Sequence, residues 1–312
     1  MKKLFRFLLR TALVLFVLVN IITAFHAYKF THFYDAAEAP STKEKSGWQL
    51  TKEILFGAKA YKHKSVIPAD TTFEKVYLTT KDKIKLDCWY MKPAGTAKGT
   101  IIMFHGHGSK KSSIMDESIG FRKMGYNTFM IDFRAHGNSG GNTSTIGWYE
   151  TEDVKLAYNF IKEKGESNII LWGISMGAAT ISKAMNDYPL QPSKVILEMP
   201  YASILKAAEG RIKMMGLPGE PLATFVTFWG GIENSFWAFN MKPAEFVKEI
   251  KCPVLLQWGK NDPRVQKEET DLVYENLTAP KKLVVYENSA HESLCTKENE
   301  KWMKEVNEFL AK

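Results

Sequence analysis

Eight runs of strand length follow one another from residue 73 onward, most of them separated by segments of helical period. The runs at residues 99–106, 126–132, 168–175, 194–200, 253–259 and 282–288 are apolar without alternation and rich in β-branched and aromatic side chains. An unalternated apolar strand is buried on both faces, which is the signature of a parallel sheet covered by helices. The helical-period segments at 112–124, 149–164, 176–188, 265–275 and 298–310 supply that cover. Residues 73–80 and 83–91 read as a strand pair joined by a Lys81–Lys83 turn, an antiparallel beginning. The predicted fold is therefore α/β, with a mostly parallel sheet of about eight strands flanked by helices.

One interval breaks the rhythm. Residues 201–252 occupy a place where a single helix would suffice, and they carry an apolar load that includes Phe225, Phe228, Trp229 and Trp237. An insertion of this kind at the carboxyl end of the sixth strand is expected to be a small helical cap, at about 201–250. Those four aromatics are its candidate substrate-binding residues.

The N-terminus is different in kind. Residues 11–28 form an apolar run of 18 residues behind Lys2, Lys3, Arg6 and Arg10. As a helix it would span about 27 Å, close to the hydrocarbon thickness of a bilayer. The basic cluster upstream, against Lys29 just downstream, predicts the N-terminus inside and the rest of the chain on the extracytoplasmic side. Residues 1–30 are thus read as a signal-anchor, 31–72 as a connector with an amphipathic piece near 50–61, and 73–312 as the catalytic domain. Cleavage after Ala24 or Ala27, releasing a secreted or periplasmic domain, is the alternative; each site lacks the small residue wanted two positions earlier. Four of the eight net positive charges lie in the first ten residues, and no run of basic residues interleaved with aromatics points to nucleic acid. Cys88, Cys252 and Cys295 are too few and too scattered for a disulfide framework or a zinc site.

The chemistry concentrates in Gly173-Ile-Ser175-Met-Gly177, placed between a buried strand and a helical segment. A serine on such a turn projects its hydroxyl above the sheet edge, and glycines two residues away on each side let neighbouring chain pass. The hydroxyl needs a base. Among the histidines only His291 follows Ser175, on a loop after the last strand. The base needs an acceptor, for which Asp262 at the end of the preceding strand is the candidate and Glu198 the alternative. Developing oxyanion charge needs two donors, assigned to the N–H groups of His107, in the glycine-rich 103–109 string, and of Met176. The His105-x-His107 pattern, with Asp132 and His136, offers no acidic cluster for a metal, so no metal is expected.

HGHGS at 105–109, MIDFRAHGNSGG at 130–141, GISMG, GKNDPRV at 259–265 and ENSAHE at 287–292, in that order, resemble the serine hydrolases of the α/β-hydrolase fold family. The resemblance runs from residue 73 to the C-terminus and implies an eight-stranded sheet with a variable cap after strand six. It also implies a cofactor-free acyl-enzyme mechanism on esters, thioesters or amides. Ala135 stands where the family usually has glycine. The expected activity is hydrolysis of a lipid-like or small acyl ester by Ser175, His291 and Asp262. A peptidase, amidase or thioesterase of the same fold, an acyltransferase, and a non-catalytic binding protein are the alternatives.

Overall fold

The computed structural model describes residues 1–38, 46–67 and 72–312. Among the described residues the main sheet has eight strands: β1 (Glu74–Thr79), β2 (Lys85–Met91), β3 (Thr100–Phe104), β4 (Asn127–Ile131), β5 (Ile169–Ile174), β6 (Lys194–Glu198), β7 (Val254–Gly259) and β8 (Lys281–Tyr286). Their spatial order is β8-β7-β6-β5-β3-β4-β2-β1. β1 and β2 run antiparallel, β2 pairs antiparallel with β4, and every other pairing is parallel. Strands β3 and β4 are buried along their whole length, as their unbroken apolar runs require. The sheet is covered by α3 (Met115–Lys123), α4 (Thr151–Glu163), α5 (Met176–Asp187), α8 (Lys267–Asn276) and α9 (Asn299–Ala311). Cys88, Cys252 and Cys295 are free thiols.

The interval after β6 forms a helical cap, α6 (Ile204–Met214) and α7 (Leu222–Glu233), followed by short turns before β7. Against it lies α1 (Lys2–Thr31), a helix long and apolar enough to cross a membrane. Its residues are mostly exposed, with Thr23, Ala27 and Thr31 buried on the side facing α7 and the body. The Trp229 indole N–H donates to Asn20 Oδ1 at 3.1 Å, and Phe16 meets Phe225 edge-on with centroids 5.8 Å apart.

The connector expected over 31–72 is largely built into the body. Its polar stretches 39–45 and 68–71 lie outside the described residues. Phe33–Asp35 and Ala60–Lys62 pair as two short parallel strands. Phe33 N–H donates to Asn142 at 2.7 Å, and Lys62 Nζ donates to the carbonyls of Ser139 and Gly141. Helix α2 (Gly47–Phe56) starts at a Ser46–Gln49 capping box, in which each side chain satisfies the other's backbone N–H. This packing was not legible because two three-residue strands give no periodicity to read.

A buried ionic network fixes the loop after β3. Lys111 is wholly enclosed; its ammonium pairs with Asp132 and, at 2.7 Å, with Asp87, above the Trp89 ring. Its N–H also donates to Asp132 at 2.7 Å, as does Asn138 N–H at 2.8 Å. Burial alone would raise the Asp132 pKa, but Lys111 and these donors outweigh it and hold the carboxyl below its ordinary value. Replacing Lys111 by Met leaves buried Asp132 without its ion-pair partner and Asp87 with only the partly exposed Lys75, at 3.2 Å. It is expected to cost about 3–5 kcal/mol in denaturant unfolding of the detergent-solubilised protein. A loss below about 1 kcal/mol contradicts this reading.

Candidate active site

Ser175 lies at the junction of β5 and α5, with φ 54° and ψ −116°, a torsion pair that strains any residue bearing a side chain. Two glycines make the turn possible. A Cβ on Gly177 would lie 2.1 Å from the Phe104 carbonyl oxygen, and one on Gly173 would lie 2.6 Å from the Gly177 carbonyl carbon. The Ser175 N–H donates to Glu198 O at 2.8 Å, tying the turn to the end of β6.

The loop after β8 brings His291 to the serine, with Nε2 2.9 Å from Ser175 Oγ. Its Nδ1 lies 2.7 Å from Asp262 Oδ2, on the loop after β7. The other oxygen, Asp262 Oδ1, accepts from the N–H groups of Arg264 at 2.7 Å and Val265 at 3.0 Å, so the carboxylate is aimed by its own turn. The histidine loop is held on both sides. Glu298 accepts from Ser289 Oγ at 2.7 Å and from Asn288 N–H at 3.0 Å, and Ser293 Oγ donates to buried Glu117. Burial pushes the Glu117 carboxyl up to about 7 against the Ser293 bond. Sequence reading missed Glu117 and Glu298, since a lone glutamate on a helix, or just before one, carries no signal of the loop it anchors.

The His107 and Met176 N–H groups belong to residues lining the same cavity as Ser175, and neither has an acceptor among the described residues. Met176 opens α5, where the first N–H groups have no intrahelical partner. The β3 loop runs beside the serine: a Cβ on Gly106 would lie 3.4 Å from Ser175 Cβ. His105 and His136 spend their ring nitrogens on backbone groups, His105 on Gly106 O and Phe133 N–H, His136 on Arg134 O and Gly108 N–H. Burial first, and then the neighbouring His136, hold the His105 pKa down to about 3. Ala135 takes φ 66°, the left-handed torsion that glycine tolerates most readily.

A cavity of about 500 Å³ opens on Ser175 and His291. The cap supplies Ala207, Arg211, Met214 and Met215; Phe30 comes from the end of α1, and Leu50 and Ile54 from α2. The four aromatics expected to bind substrate are not in this lining. Phe225 faces Phe16 of α1, and Trp229 lines a separate groove between α1 and α7. Phe228 packs on Trp229 and Trp237, and Trp237 meets Phe239 at a tilt and stays half exposed. The correction has a plain cause: an apolar helix against a long apolar helix buries its aromatics there, and sequence alone did not show α1 folding back on the cap.

Glu198, the alternative acid, is otherwise occupied. It is fully buried, and its Oε1 accepts from Trp172 at 2.9 Å, Trp302 at 2.8 Å and Gln257 at 2.9 Å. Burial first, and then the nearby Glu117 carboxyl, push its pKa up to about 8.

Residues 95–223 match the family described as serine aminopeptidase, S33. The Bacillus subtilis protein YqkD is 29% identical over 215 residues, covering 68% of this chain and 70% of that one. The lysophosphatidylserine lipase ABHD12 of Xenopus tropicalis is 26% identical over 62% of this chain, which spans about half of that relative's length. Among solved structures, an esterase from Pyrococcus furiosus superposes with a TM-score of 0.66 at 26% identity, over 82% of this chain and 98% of that one.

Glu198 makes stability depend on pH. Between the ordinary glutamate value and about 8 the unfolded chain has released a proton that the folded chain retains, so stability falls as pH rises through that window. Glu198→Gln keeps an acceptor for the indoles and removes the titration. Its melting temperature is expected to drop less between pH 5 and pH 8.5 than the wild type's; equal drops in the two proteins contradict the assignment.

Proposed function

We propose, for a chain that belongs to the α/β-hydrolase family, that it is a serine esterase working on lipid-like acyl esters at a membrane surface. The observation that carries this reading is the unbroken hydrogen-bonded chain from Ser175 Oγ through His291 to Asp262, opening on an apolar cavity. His291 Nε2 takes the hydroxyl proton as Ser175 Oγ bonds to the acyl carbon. The N–H groups of His107 and Met176 receive the negative charge that develops on the carbonyl oxygen. Collapse breaks the bond to the leaving alkoxide, which takes the proton from His291. Water then attacks the acyl-enzyme by the same route and releases the acid. Asp262 holds the imidazole tautomer and stabilises the imidazolium.

Three observations support an ester over the peptide bond that the family description suggests. The cavity wall is mostly apolar, a membrane-length helix contributes to it, and relatives bear the names lipase and esterase. An aminopeptidase must hold a free ammonium group, and the described cavity wall carries Arg211 and Arg264 against one carboxylate, Glu53. Two cations repel such a substrate.

Helix α1 acts as an uncleaved anchor in this reading. Cleavage after Ala24 or Ala27 would remove Phe16 and Asn20, which hold Phe225 and Trp229 of the cap. The basic cluster at residues 2–10 keeps the N-terminus in the cytoplasm and puts the catalytic domain outside. A C-terminal alkaline phosphatase fusion is expected to be active; a fusion active only with a cytoplasmic reporter contradicts the topology.

Kinetics test the chemistry. Purified full-length protein is expected to hydrolyse p-nitrophenyl esters and to favour medium or long acyl chains over an aminoacyl amide. Ser175→Ala and His291→Ala should each lose about 10³-fold or more in kcat, with Asp262→Asn falling by a similar order. Preference for the amide overturns the ester assignment, and full activity in Ser175→Ala overturns the mechanism.

A further inference from the structure

Two arginines share the cleft with the catalytic serine and have no acidic partner among the described residues. Arg211 projects from α6 of the cap, and Arg264 from the turn that begins at Asp262; both are exposed residues that line the cavity containing Ser175 and His291. The elements that carry them are in direct contact, since a Cβ on Gly210 would lie 2.6 Å from the Arg264 carbonyl oxygen. Neither guanidinium makes a hydrogen bond or ion pair among the described residues.

The acids nearby are committed elsewhere. Glu209, on the same helix as Arg211, is held by Lys206 at 2.7 Å and Lys213 at 2.6 Å. Asp262 serves His291 and the backbone of its own turn. Glu269 accepts from the N–H groups of Ala202 at 2.9 Å and Gln266 at 3.3 Å. Glu53 of α2 is the one carboxylate in the described lining, so the wall keeps an excess of positive charge. Arg211 lies over the Phe30 ring with its central carbon 4.4 Å from the centroid. A cation–π contact takes up no oxygen or nitrogen acceptor, so the guanidinium keeps N–H donors for a ligand. Burial in the cleft first, and then the Arg264 charge, lower the Arg211 pKa.

We propose that Arg211 and Arg264 form an anion subsite that holds the phosphate of a phospholipid-type acyl ester while its acyl carbonyl lies at Ser175. Guanidinium forks match phosphate oxygens in geometry and charge, and two of them beside one serine hydroxyl select a substrate with its anion a short distance from the ester. The acyl chain has the apolar part of the same cleft, where Leu50, Ile54, Met214 and Met215 lie. The inference rests on the esterase reading and narrows it to anionic substrates.

The test uses full-length enzyme in non-ionic detergent with two substrates of identical acyl chain, a lysophosphatidylglycerol and the corresponding monoacylglycerol, beside a p-nitrophenyl ester. The wild type is expected to favour the anionic substrate at least tenfold in kcat/KM, about 1.4 kcal/mol of discrimination. The ratio should shrink as salt is raised. In Arg211→Gln and Arg264→Gln it is expected to collapse toward one, and in the Arg→Lys variants to recover in part. The ratio, not the absolute rate, is the readout, so a variant that merely folds less well does not imitate the effect. Hydrolysis of the p-nitrophenyl ester without any preference for the phosphate, or a preference that survives both glutamine variants, overturns the subsite alone. Failure to hydrolyse any of the three esters overturns the esterase reading and the subsite with it.

Discussion

The strained turn at Ser175 is the constraint from which the site's geometry follows. A side-chain-bearing residue at φ 54° and ψ −116° costs free energy, and it persists because the sheet and helix around it admit no other course. Gly177 lies so close to Phe104 O that any larger residue would push α5 away from β3. The strand order sets the rest, because β7 and β8 lie beyond β6, with β6 directly beside β5. Their carboxyl-end loops therefore converge over the serine, and the imidazole and carboxylate arrive at 2.9 Å and 2.7 Å without any local contrivance.

Around this centre, buried charge is used to hold loops in place. Lys111, Asp132 and Asp87 form a buried network by the β3 loop that carries His107. Glu117 reaches the loop of His291 through Ser293, and Glu198 gathers two indoles and a glutamine under β6. The first is an ion cluster stabilised by opposite charges, whereas burial raises the pKa values of the two glutamates, Glu117 to about 7 and Glu198 to about 8. The difference follows from partners: a lysine is present in one case, and only neutral donors in the others.

Much of this architecture was legible in the chain. Unalternated apolar runs gave the parallel strands, the break after residue 200 gave the cap, and glycine spacing gave the turn. Ser175, His291 and Asp262 could be picked out because each follows a strand at the same sheet edge. What the sequence did not reveal was tertiary folding-back. Phe30, Leu50 and Ile54 reach the cavity at Ser175 from segments that read as anchor and connector. Phe225 and Trp229, chosen as substrate contacts for their apolar bulk, instead pack on α1. Aromatic content shows that a surface is to be buried, but not which neighbour buries it. Arg211 and Arg264 were equally silent, because an unpaired cation is visible only once the surrounding acids are seen to be engaged.

The central claim is that one serine hydroxyl is made nucleophilic by the imidazole bonded to it. The most direct measurement is peptide mapping by mass spectrometry of the full-length protein after reaction with a fluorophosphonate, beside His291→Ala. One phosphonyl adduct on the peptide containing Ser175, absent or greatly slowed in the variant, is expected. An adduct on another residue, no adduct, or equal reaction in the variant contradicts the account.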